Sequence, residues 1–309
     1  MEDISQIEKD VLEMVSGLRA IPESGAYNIR LNGASAGRQS SKNIRIEPKP
    51  AGSGIDIHIA PGTKNEKVYM PVVINSTGLV ELVYNDIYVG EGADVEVIAG
   101  CGINQCGNEK NQHDGIHTFH LEKDSRAVYA EKHLATGEGK GERALNPVTE
   151  VFLGENSYLE IDTVQIDGID NTRRITKGTV GKGATLKVRE KIMTTAGQFA
   201  ETAFDVAMEG EDSGVHVISR AVAKGSSRQV FISKIEGANR CAGHTECDAI
   251  LMDSAVVKAI PEITASHVDA SLVHEATIGK IAGEQLTKLM TLGLTKEDAE
   301  TQIINGFLK

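Results

Sequence analysis

The chain has 309 residues, and 32 Lys and Arg against 44 Asp and Glu give it a formal net charge of −12. An acidic surface repels nucleic-acid backbones and anionic lipid heads, so we expect neither nucleic acid nor membrane as a partner. We expect a cytoplasmic protein, because no apolar run reaches the ~18 residues of a membrane span and residues 1–10 lack a signal-peptide core. Four cysteines are too few for a disulfide framework, which leaves free thiols, metal ligands or redox groups.

The N-terminal segment is predicted to form one amphipathic helix followed by an irregular connection. Apolar residues recur at three- and four-residue steps between Asp3 and Arg19, which is typical of such a helix. They are Ile4, Ile7, Val11, Met14, Val15 and Leu18. Asp3 is the expected N-cap, and Gly17 lies near the expected C-terminus. From Pro22 to Lys42, Gly, Ser, Ala and Asn dominate without periodicity, and we expect an irregular connection there.

From about Ile44 to Ile263 the apolar period is two, which is typical of β-strands. A turn-and-strand phrase recurs in this region: VGEGADVEV, LGENSYLEI and VGKGATLKV, starting at residues 89, 153 and 180. Weaker copies start at residues 121 and 208, so successive starts lie 32, 32, 27 and 28 residues apart.

Such a period in strand sequence indicates units that bury their apolar faces only by stacking on their neighbours. Gly or Asn at the fourth place of the phrase supplies a positive φ at a corner, and a small fifth residue lets coils approach closely. The pattern favours a β-solenoid. The alternative is a β-sandwich whose hairpins happen to have similar Gly-rich turns.

The C-terminal segment is predicted to form a helical pair. An apolar stripe runs from Ile278 to Leu292 and ends at Gly293, a typical residue after a helix C-terminus. Thr295 and Asp298 then form an imperfect capping box for a second helix. That helix places Ala299, Ile303, Ile304 and Phe307 on one face. The expected organisation is an N-terminal segment over residues 1–43, a β-helix core over 44–272 and a helical region over 273–309.

Several catalytic motifs are absent from the sequence. There is no P-loop, so we do not expect the chain to hydrolyse ATP. His274 and Glu275 begin like a zinc-protease motif, but Ile278 stands where its second histidine belongs.

Soft-metal chemistry remains as the main candidate. Cys241 and Cys247 flank His244, and His274 and Glu275 follow about thirty residues later, roughly one coil of a solenoid. Thiolate, imidazole and carboxylate together could bind zinc or an iron–sulfur cluster. The alternative is that the two cysteines only fill core volume.

A second group of donor residues lies between residues 101 and 120. It contains Cys101, Cys106, His113, His117 and His120, and its spacing matches no strong zinc pattern. A metal site is one interpretation. The other is a packed or surface set in which His117 and Phe119 alternate along a strand with His120 on the opposite face.

The phrases HTECDAIL, AIPEI and VHEATIGKIAGEQLTKLMTLGLTKEDAETQIINGFL resemble the SufB/SufD family of iron–sulfur cluster assembly scaffolds. The resemblance extends from about Ile44 to Leu308 and is greatest to the SufB side, in a short archaeal-type form. It implies a right-handed parallel β-helix capped by C-terminal helices. Those helices would dock a separate ABC-type ATPase, SufC, and two scaffold subunits, as a homodimer or with a homologue, would pair through their β-helix edges.

The resemblance also implies roles for individual residues. Cys247 matches the family's sulfur acceptor or cluster ligand, and His274 and Glu275 match residues expected near a transient cluster, taken to be 4Fe-4S. No flavin is expected, because EQLTKLM stands where an aromatic phrase would be. The leading hypothesis is a non-enzymatic scaffold. The alternatives are a SufD-like interaction module and a polysaccharide-acting β-helix enzyme.

Overall fold

The computed structural model describes residues 4–50 and 53–309, and in this part of the chain parallel strands wind into a β-solenoid of about eight turns. The helices are α1 (Gln6–Ser16), α2 (Gly283–Thr291) and α3 (Lys296–Phe307). The strands are β1 (Ala26–Leu31), β2 (Ala34–Gln39), β3 (Ile44–Pro48), β4 (Gly54–Ile59), β5 (Lys64–Ile74), β6 (Val80–Val89), β7 (Asp94–Asn104), β8 (Asn111–Leu121), β9 (Arg126–Thr136), β10 (Arg143–Leu145), β11 (Val148–Leu153), β12 (Tyr158–Asp167), β13 (Asn171–Val180), β14 (Thr185–Thr194), β15 (Phe199–Met208), β16 (Ser213–Ala223), β17 (Arg228–Gly237), β18 (Cys241–Leu251), β19 (Val256–Ala265) and β20 (Ala270–Gly279).

The strands form two facing sheets, and the chain passes from one to the other at each corner. The first sheet has the order β2-β1-β5-β7-β9-β12-β14-β16-β18-β20. The second has the order β19-β17-β15-β13-β10-β8-β6-β4-β3, with β11 pairing β13 and β8. Every second strand therefore pairs in parallel, and among the described strands antiparallel pairing is confined to β1 with β2 and β3 with β4. The predicted parallel β-helix is confirmed, and the β-sandwich alternative is wrong because its hairpins would pair antiparallel.

The recurring phrase forms one corner of the solenoid. Its fourth residue has a positive φ in all five copies: 64° at Gly92, 55° at Asp124, 55° at Asn156, 62° at Gly183 and 58° at Asp212, where the fifth copy has its extra residue. The following residue is small and buried in each copy: Ala93, Ser125, Ser157, Ala184 and Ser213. Each of these serines donates a hydrogen bond to a carbonyl oxygen three residues earlier. The phrase thus encodes the corner through backbone geometry and close packing.

The N-terminal helix is shorter than predicted. It begins after Ser5, whose hydroxyl and Glu8 form a capping box, and the expected cap Asp3 lies outside the described residues. The helix ends at Gly17, whose φ of 74° confirms the predicted C-terminus. Its buried residues are Val11, Leu12 and Val15. Ile7 and Met14 of the predicted stripe are exposed, because the buried face is narrower than the stripe.

The prediction of an irregular connection from Pro22 to Lys42 is wrong. Strands β1 and β2 form an antiparallel hairpin in this segment, and β1 continues the first sheet by pairing with β5. The hairpin turns at Asn32 and Gly33, which have φ values of 48° and 79°. Asn-Gly is a strong hairpin signal, because both residues accept positive φ.

The C-terminal region contains the two predicted helices, with one change. Ile278 lies in strand β20 and not in the first helix, so the last coil extends to Gly279. Thr295 accepts a hydrogen bond from the Asp298 backbone N–H, which confirms the predicted cap of α3. Ile304 and Leu308 then pack against the solenoid in one apolar cluster. Within the described chain, all three helices fall short of the length and apolar character that a membrane crossing requires.

Candidate functional site

The predicted site residues lie on the last two strands of the first sheet. In the parallel pair β18 and β20, Thr245 lies opposite His274, Glu246 opposite Glu275 and Cys247 opposite Ala276. Successive side chains of a strand point to opposite faces. Burial alternates accordingly along β18, with Cys247 buried and Glu246 partly exposed.

The thiol of Cys247 faces the interior of the solenoid. Its side chain is fully buried in the main apolar cluster. Burial raises the pKa of Cys247 to about 12, with smaller contributions in the same direction from Glu190 and Asp248. In this conformation the group is therefore a protonated thiol at neutral pH, and it becomes a good nucleophile or ligand only when a cation or exposure to water favours the thiolate.

The imidazole of His274 lies on the same interior face. Its Nδ1 atom is 2.7 Å from the hydroxyl oxygen of Thr245. Its Nε2 atom is buried and has no hydrogen-bond partner among the described residues. Burial, followed by the charge of His244, lowers the pKa of His274, so the ring is neutral at pH 7. Cys247 lies opposite Ala276, two positions along the same interior face from His274. A neutral imidazole with a free nitrogen is a ligand type that borderline metals take.

The carboxylate of Glu275 lies on the outer face, and its side chain is 66% exposed. The structure therefore does not bring Cys247, His274 and Glu275 into one space. The physical reason is that His274 and Glu275 are consecutive residues of a strand, and consecutive side chains cannot share a face. Cys247 and His274 remain together inside, and Glu275 lies on the other side of the sheet.

Two interior residues beside Cys247 were not predicted. Glu190 and Ser219 occupy the equivalent position on the two preceding strands of the same sheet, β14 and β16. Ser219 donates a 2.7 Å hydrogen bond to one carboxylate oxygen of Glu190. The other oxygen, Oε2, is buried without a hydrogen-bond partner in the described chain, and burial raises the pKa of Glu190. Their separations of 29 and 28 residues along the chain, close to the repeat length, are the sequence signal that could have linked them to Cys247.

Cys241 is buried at the first position of β18. Cys247 lies six positions further along the strand, which is about 20 Å at ~3.3 Å per residue. Cys241 therefore does not share a ligand sphere with Cys247.

The second predicted group lies near the N-terminal half of the solenoid. Cys101, His113 and His117 line a small interior cavity with Glu131 and His133. Cys106 is exposed in the turn that follows β7 and is absent from that lining.

The histidines of this group already have hydrogen-bond partners. His113 Nδ1 lies 2.9 Å from a carboxylate oxygen of Glu81, and His117 Nδ1 lies 3.3 Å from the side-chain nitrogen of Asn85. His120 points outward and stacks on Tyr88 with ring centroids 4.8 Å apart. The interpretation of an alternating strand with His120 on the opposite face is thus confirmed.

The outer face holds a group of ligand atoms that the sequence did not reveal. In the described residues, three or more His, Cys, Asp or Glu ligand atoms lie within 4.8 Å of one another at His244, Glu246 and Glu275 alone. His244 Nε2 is 3.7 Å from Glu275 Oε2. Burial, a hydrogen bond with Asp248 and its charge raise the pKa of Glu246, which reflects the crowding of carboxyl groups on this face.

The fold defines the chain as a β-solenoid, and its last coils carry cysteine, histidine and carboxylate side chains on two faces of one sheet. The family model described as "SUF system FeS cluster assembly, SufBD core domain" matches residues 72–307. The chain therefore belongs to the SufBD family, which confirms the resemblance seen in its C-terminal phrases and a role in iron–sulfur cluster assembly.

Similar proteins come from archaea and bacteria. An "Iron-sulfur cluster assembly SufBD family protein" of Archaeoglobus fulgidus is 26% identical over 260 residues, which cover 83% of this chain and 68% of that protein. One of Methanothermobacter thermautotrophicus is 24% identical over 238 residues, covering 76% of this chain and 57% of that protein. One of Pyrococcus horikoshii is 25% identical over 281 residues, covering 88% and 83%.

Proposed function

We propose that this chain is a SufB-like scaffold subunit, not an enzyme, on which a transient iron–sulfur cluster is assembled. The observation that carries the proposal is the free Nε2 atom of His274 on the same interior face as Cys247, in a chain of the SufBD family. Cys247 and His274 act as cluster ligands, and Glu275, which lies on the outer face, joins them only when β20 moves. The 4Fe-4S form of the cluster is part of this proposal.

The ligand set suits a cluster that must leave again. A cysteine thiolate binds iron firmly, whereas imidazole and carboxylate are weaker partners for a soft cluster. Cys247 loses its proton when iron binds, because metal ligation requires the thiolate. Access requires movement of β20, the end strand of its sheet, whose side chains are largely exposed.

The partner ATPase of the SufC type is proposed to dock on the C-terminal helices. Helix α2 buries none of its side chains, and Met290 and Leu292 are 46% and 75% exposed. An apolar surface of this kind fits a protein partner. Movement of these helices, driven by ATP in the partner, would displace β20 and expose Cys247.

Pairing with a second scaffold subunit is proposed at the open end of the solenoid. Strands β19 and β20 end their sheets, and a free strand edge is a template for pairing with another chain. Val256, Ile260, Ile263, Val273 and Ile278 are exposed apolar residues on these two strands. A homodimer through this end, in the cytoplasm, is the simplest assembly, and sedimentation analysis of the purified protein tests it.

Anaerobic reconstitution with Fe²⁺ and sulfide tests the scaffold function. The wild-type protein should become brown, with sulfur-to-iron charge-transfer absorbance, and should retain iron and sulfide through gel filtration. Cys247→Ala should abolish the absorbance, and His274→Ala should reduce it. Cys106→Ala is the matched control, because Cys106 is exposed and away from the site. Equal cluster content in Cys247→Ala and wild type would contradict the proposal.

A SufD-like interaction module is the second candidate, and the complete burial of Cys247 with its high pKa favours it. In that case Cys247→Ala would leave intact both complex formation and iron–sulfur assembly in cells. Deletion of residues 278–309 would abolish both. The two candidates therefore differ in the phenotype of one substitution.

A further inference from the structure

We propose that His244, Glu246 and Glu275 form a binding site for one divalent first-row metal ion on the outer face of the solenoid, separate from the interior thiol of Cys247. One ligand atom from each residue lies within 4.8 Å of the other two. His244 and Glu246 are two residues apart on β18, which places both on the same face, and Glu275 lies opposite Glu246 on β20.

The site is already close to the geometry of coordination. Ligand atoms bound at about 2.1 Å to one ion are separated by roughly 3 to 3.5 Å. His244 Nε2 and Glu275 Oε2 are 3.7 Å apart, so small rotations of partly exposed side chains are sufficient to bind an ion. Backbone movement is not needed, since the two strands are fixed by continuous parallel pairing.

A neighbouring ring restricts the orientation of His244. His216 lies opposite His244 on the preceding strand, and the two rings stack with centroids 5.2 Å apart and planes 19° apart. This contact limits rotation of the His244 ring while Nε2 faces Glu275. Ligands that are already oriented lose less entropy when an ion binds. The stacked ring therefore favours metal binding over a chance grouping of these three side chains.

The donor set selects the class of metal. One imidazole and two carboxylates supply nitrogen and oxygen without sulfur, which suits Fe²⁺, Mn²⁺ or Zn²⁺ better than a soft ion. The two carboxylates balance the charge of a divalent ion. Three protein ligands leave coordination positions open for water or an incoming ligand. Cys247 cannot complete this sphere in the present fold, because it lies on the opposite face of β18.

The position suggests a role in iron delivery. The site is adjacent in sequence to Cys247, and its ligands suit Fe²⁺ before sulfide is added. We infer that it holds the ferrous ion that enters the cluster. The identity of the ion as iron rests on the proposed function, whereas the existence of the site does not.

Titration of the full chain with Co²⁺ and Mn²⁺, and anaerobically with Fe²⁺, tests the site without any cluster chemistry. Calorimetry should give one ion per chain, and the Co²⁺ spectrum should lack a thiolate charge-transfer band. His244→Gln, Glu246→Gln and Glu275→Gln should each weaken binding about tenfold or more. His267→Gln and Glu262→Gln are matched controls on exposed residues elsewhere and should bind like wild type.

The outcomes separate this site from the scaffold function. Cys247→Ala should bind Co²⁺ normally while failing to form a cluster. Wild-type affinity in all three Gln variants, with unchanged thermal melting to show that they fold, would overturn the site and leave the scaffold proposal standing. A thiolate band that disappears in Cys247→Ala would also overturn it, because the ion would then lie inside. If the wild-type protein binds Co²⁺ as expected but forms no cluster, the scaffold proposal is rejected and the metal site stands.

Discussion

The hydroxyl of Thr245 and the imidazole of His274 are in contact across neighbouring strands, with 2.7 Å between Thr245 Oγ1 and His274 Nδ1. Thr245 is almost completely buried and His274 is partly buried, so this hydrogen bond is partly shielded from water. It fixes the ring of His274 and leaves Nε2 as the free nitrogen. The orientation of the proposed ligand therefore depends on one hydroxyl group of the preceding coil.

Replacement of Thr245 by Val should separate this contact from simple packing, because Val has a similar shape without the hydroxyl. The Nδ1 atom of His274 would then lose its partner, as Nε2 already has none, and we expect a cost of about 1 kcal/mol. We expect urea unfolding to show this loss and reconstituted protein to retain less iron. Thr245→Ser keeps the hydroxyl and should retain more of both. Identical iron retention in the Val and Ser variants would argue against a positioning role.

Alkylation should distinguish Cys247 from the exposed Cys106. The pKa of Cys247 is raised to about 12 and its side chain is fully buried. The reactive thiolate is therefore scarce, and the reagent cannot reach the sulfur. With iodoacetamide near neutral pH, mass spectrometry should find Cys106 modified in the native protein and Cys247 modified only after denaturation. Addition of the partner ATPase with ATP should speed the reaction of Cys247. Equal native rates at the two cysteines would show that the last coil is open without a partner.

The solenoid could be predicted because its corners require particular residues. A positive φ selects Gly, Asn or Asp, and a small buried residue follows it. Each coil therefore has a similar short sequence at its corner, which can be recognised as a repeat. The hairpin at Asn32 and Gly33 carried an equally clear signal, but the surrounding Ser and Ala residues lack the alternation that identifies strands. Weak periodicity, rather than a missing turn signal, caused that error.

The sequence predicted that Cys247, His274 and Glu275 lie on neighbouring coils, but not which of their side chains face the interior. Repeat spacings of 27 to 32 residues place Cys247 near His274 and Glu275. Which of these side chains share a face depends on the exact number of residues in the coil between them. The coil here is 29 residues, which sets Thr245 opposite His274 and Cys247 opposite Ala276. A one-residue change in coil length exchanges the interior and exterior sets. Because the repeats differ in length, neither the length of this coil nor the side chains that it brings together can be read from the sequence alone.

Substitution of Gly92 should isolate the backbone requirement of a corner. Its φ is 64°, and an added Cβ atom would meet no other atom within 4 Å. The Cβ atom itself therefore adds no clash, and the left-handed conformation is the cost that every L side chain has at this position. We expect Gly92→Val to lower the free energy of unfolding by about 1 to 2 kcal/mol. Gly92→Asn should lose less, because Asn tolerates positive φ, and a Val variant as stable as Asn would contradict this explanation.

Arg174 should be the most sensitive charged residue of the interior. It is buried, forms an ion pair with Glu131, and donates to His133 Nδ1 at 3.0 Å. Burial acts to raise the pKa of Glu131, but His133 and Arg174 outweigh it and hold this pKa well below its usual range. Arg174→Met leaves a buried carboxylate without its cation, and we expect a loss of about 3 to 5 kcal/mol.

An exposed ion pair provides the control for Arg174. Arg240 and Asp212 are 2.8 Å apart with more than half of each side chain exposed. Arg240→Met should change stability far less than Arg174→Met, because water and salt screen an exposed pair. Chemical denaturation of both variants measures the difference. Similar losses would mean that water reaches Arg174 and that the interior pair is screened.

His117 should make the protein less stable as the pH falls below neutrality. Burial lowers its pKa to about 4, whereas the unfolded chain has the ordinary value near 6.5. Between these values the unfolded state binds a proton that the folded state does not, so stability is fully present above about pH 6.5 and is lost towards pH 4. The largest loss from this residue is about 3 kcal/mol, at about 1.4 kcal/mol per unit of pKa.

The variant His117→Gln tests this assignment, because Gln removes the titration and keeps a polar group beside Asn85. Urea unfolding at several values between about pH 7 and pH 5 should give a smaller pH dependence for the variant than for wild type. Other buried histidines, such as His133, remain in both proteins, so the difference in slope reports the loss of His117 together with its charge interaction with them. Equal slopes would mean that His117 is protonated in the folded state, and its hydrogen bond with Asn85 would then have to break.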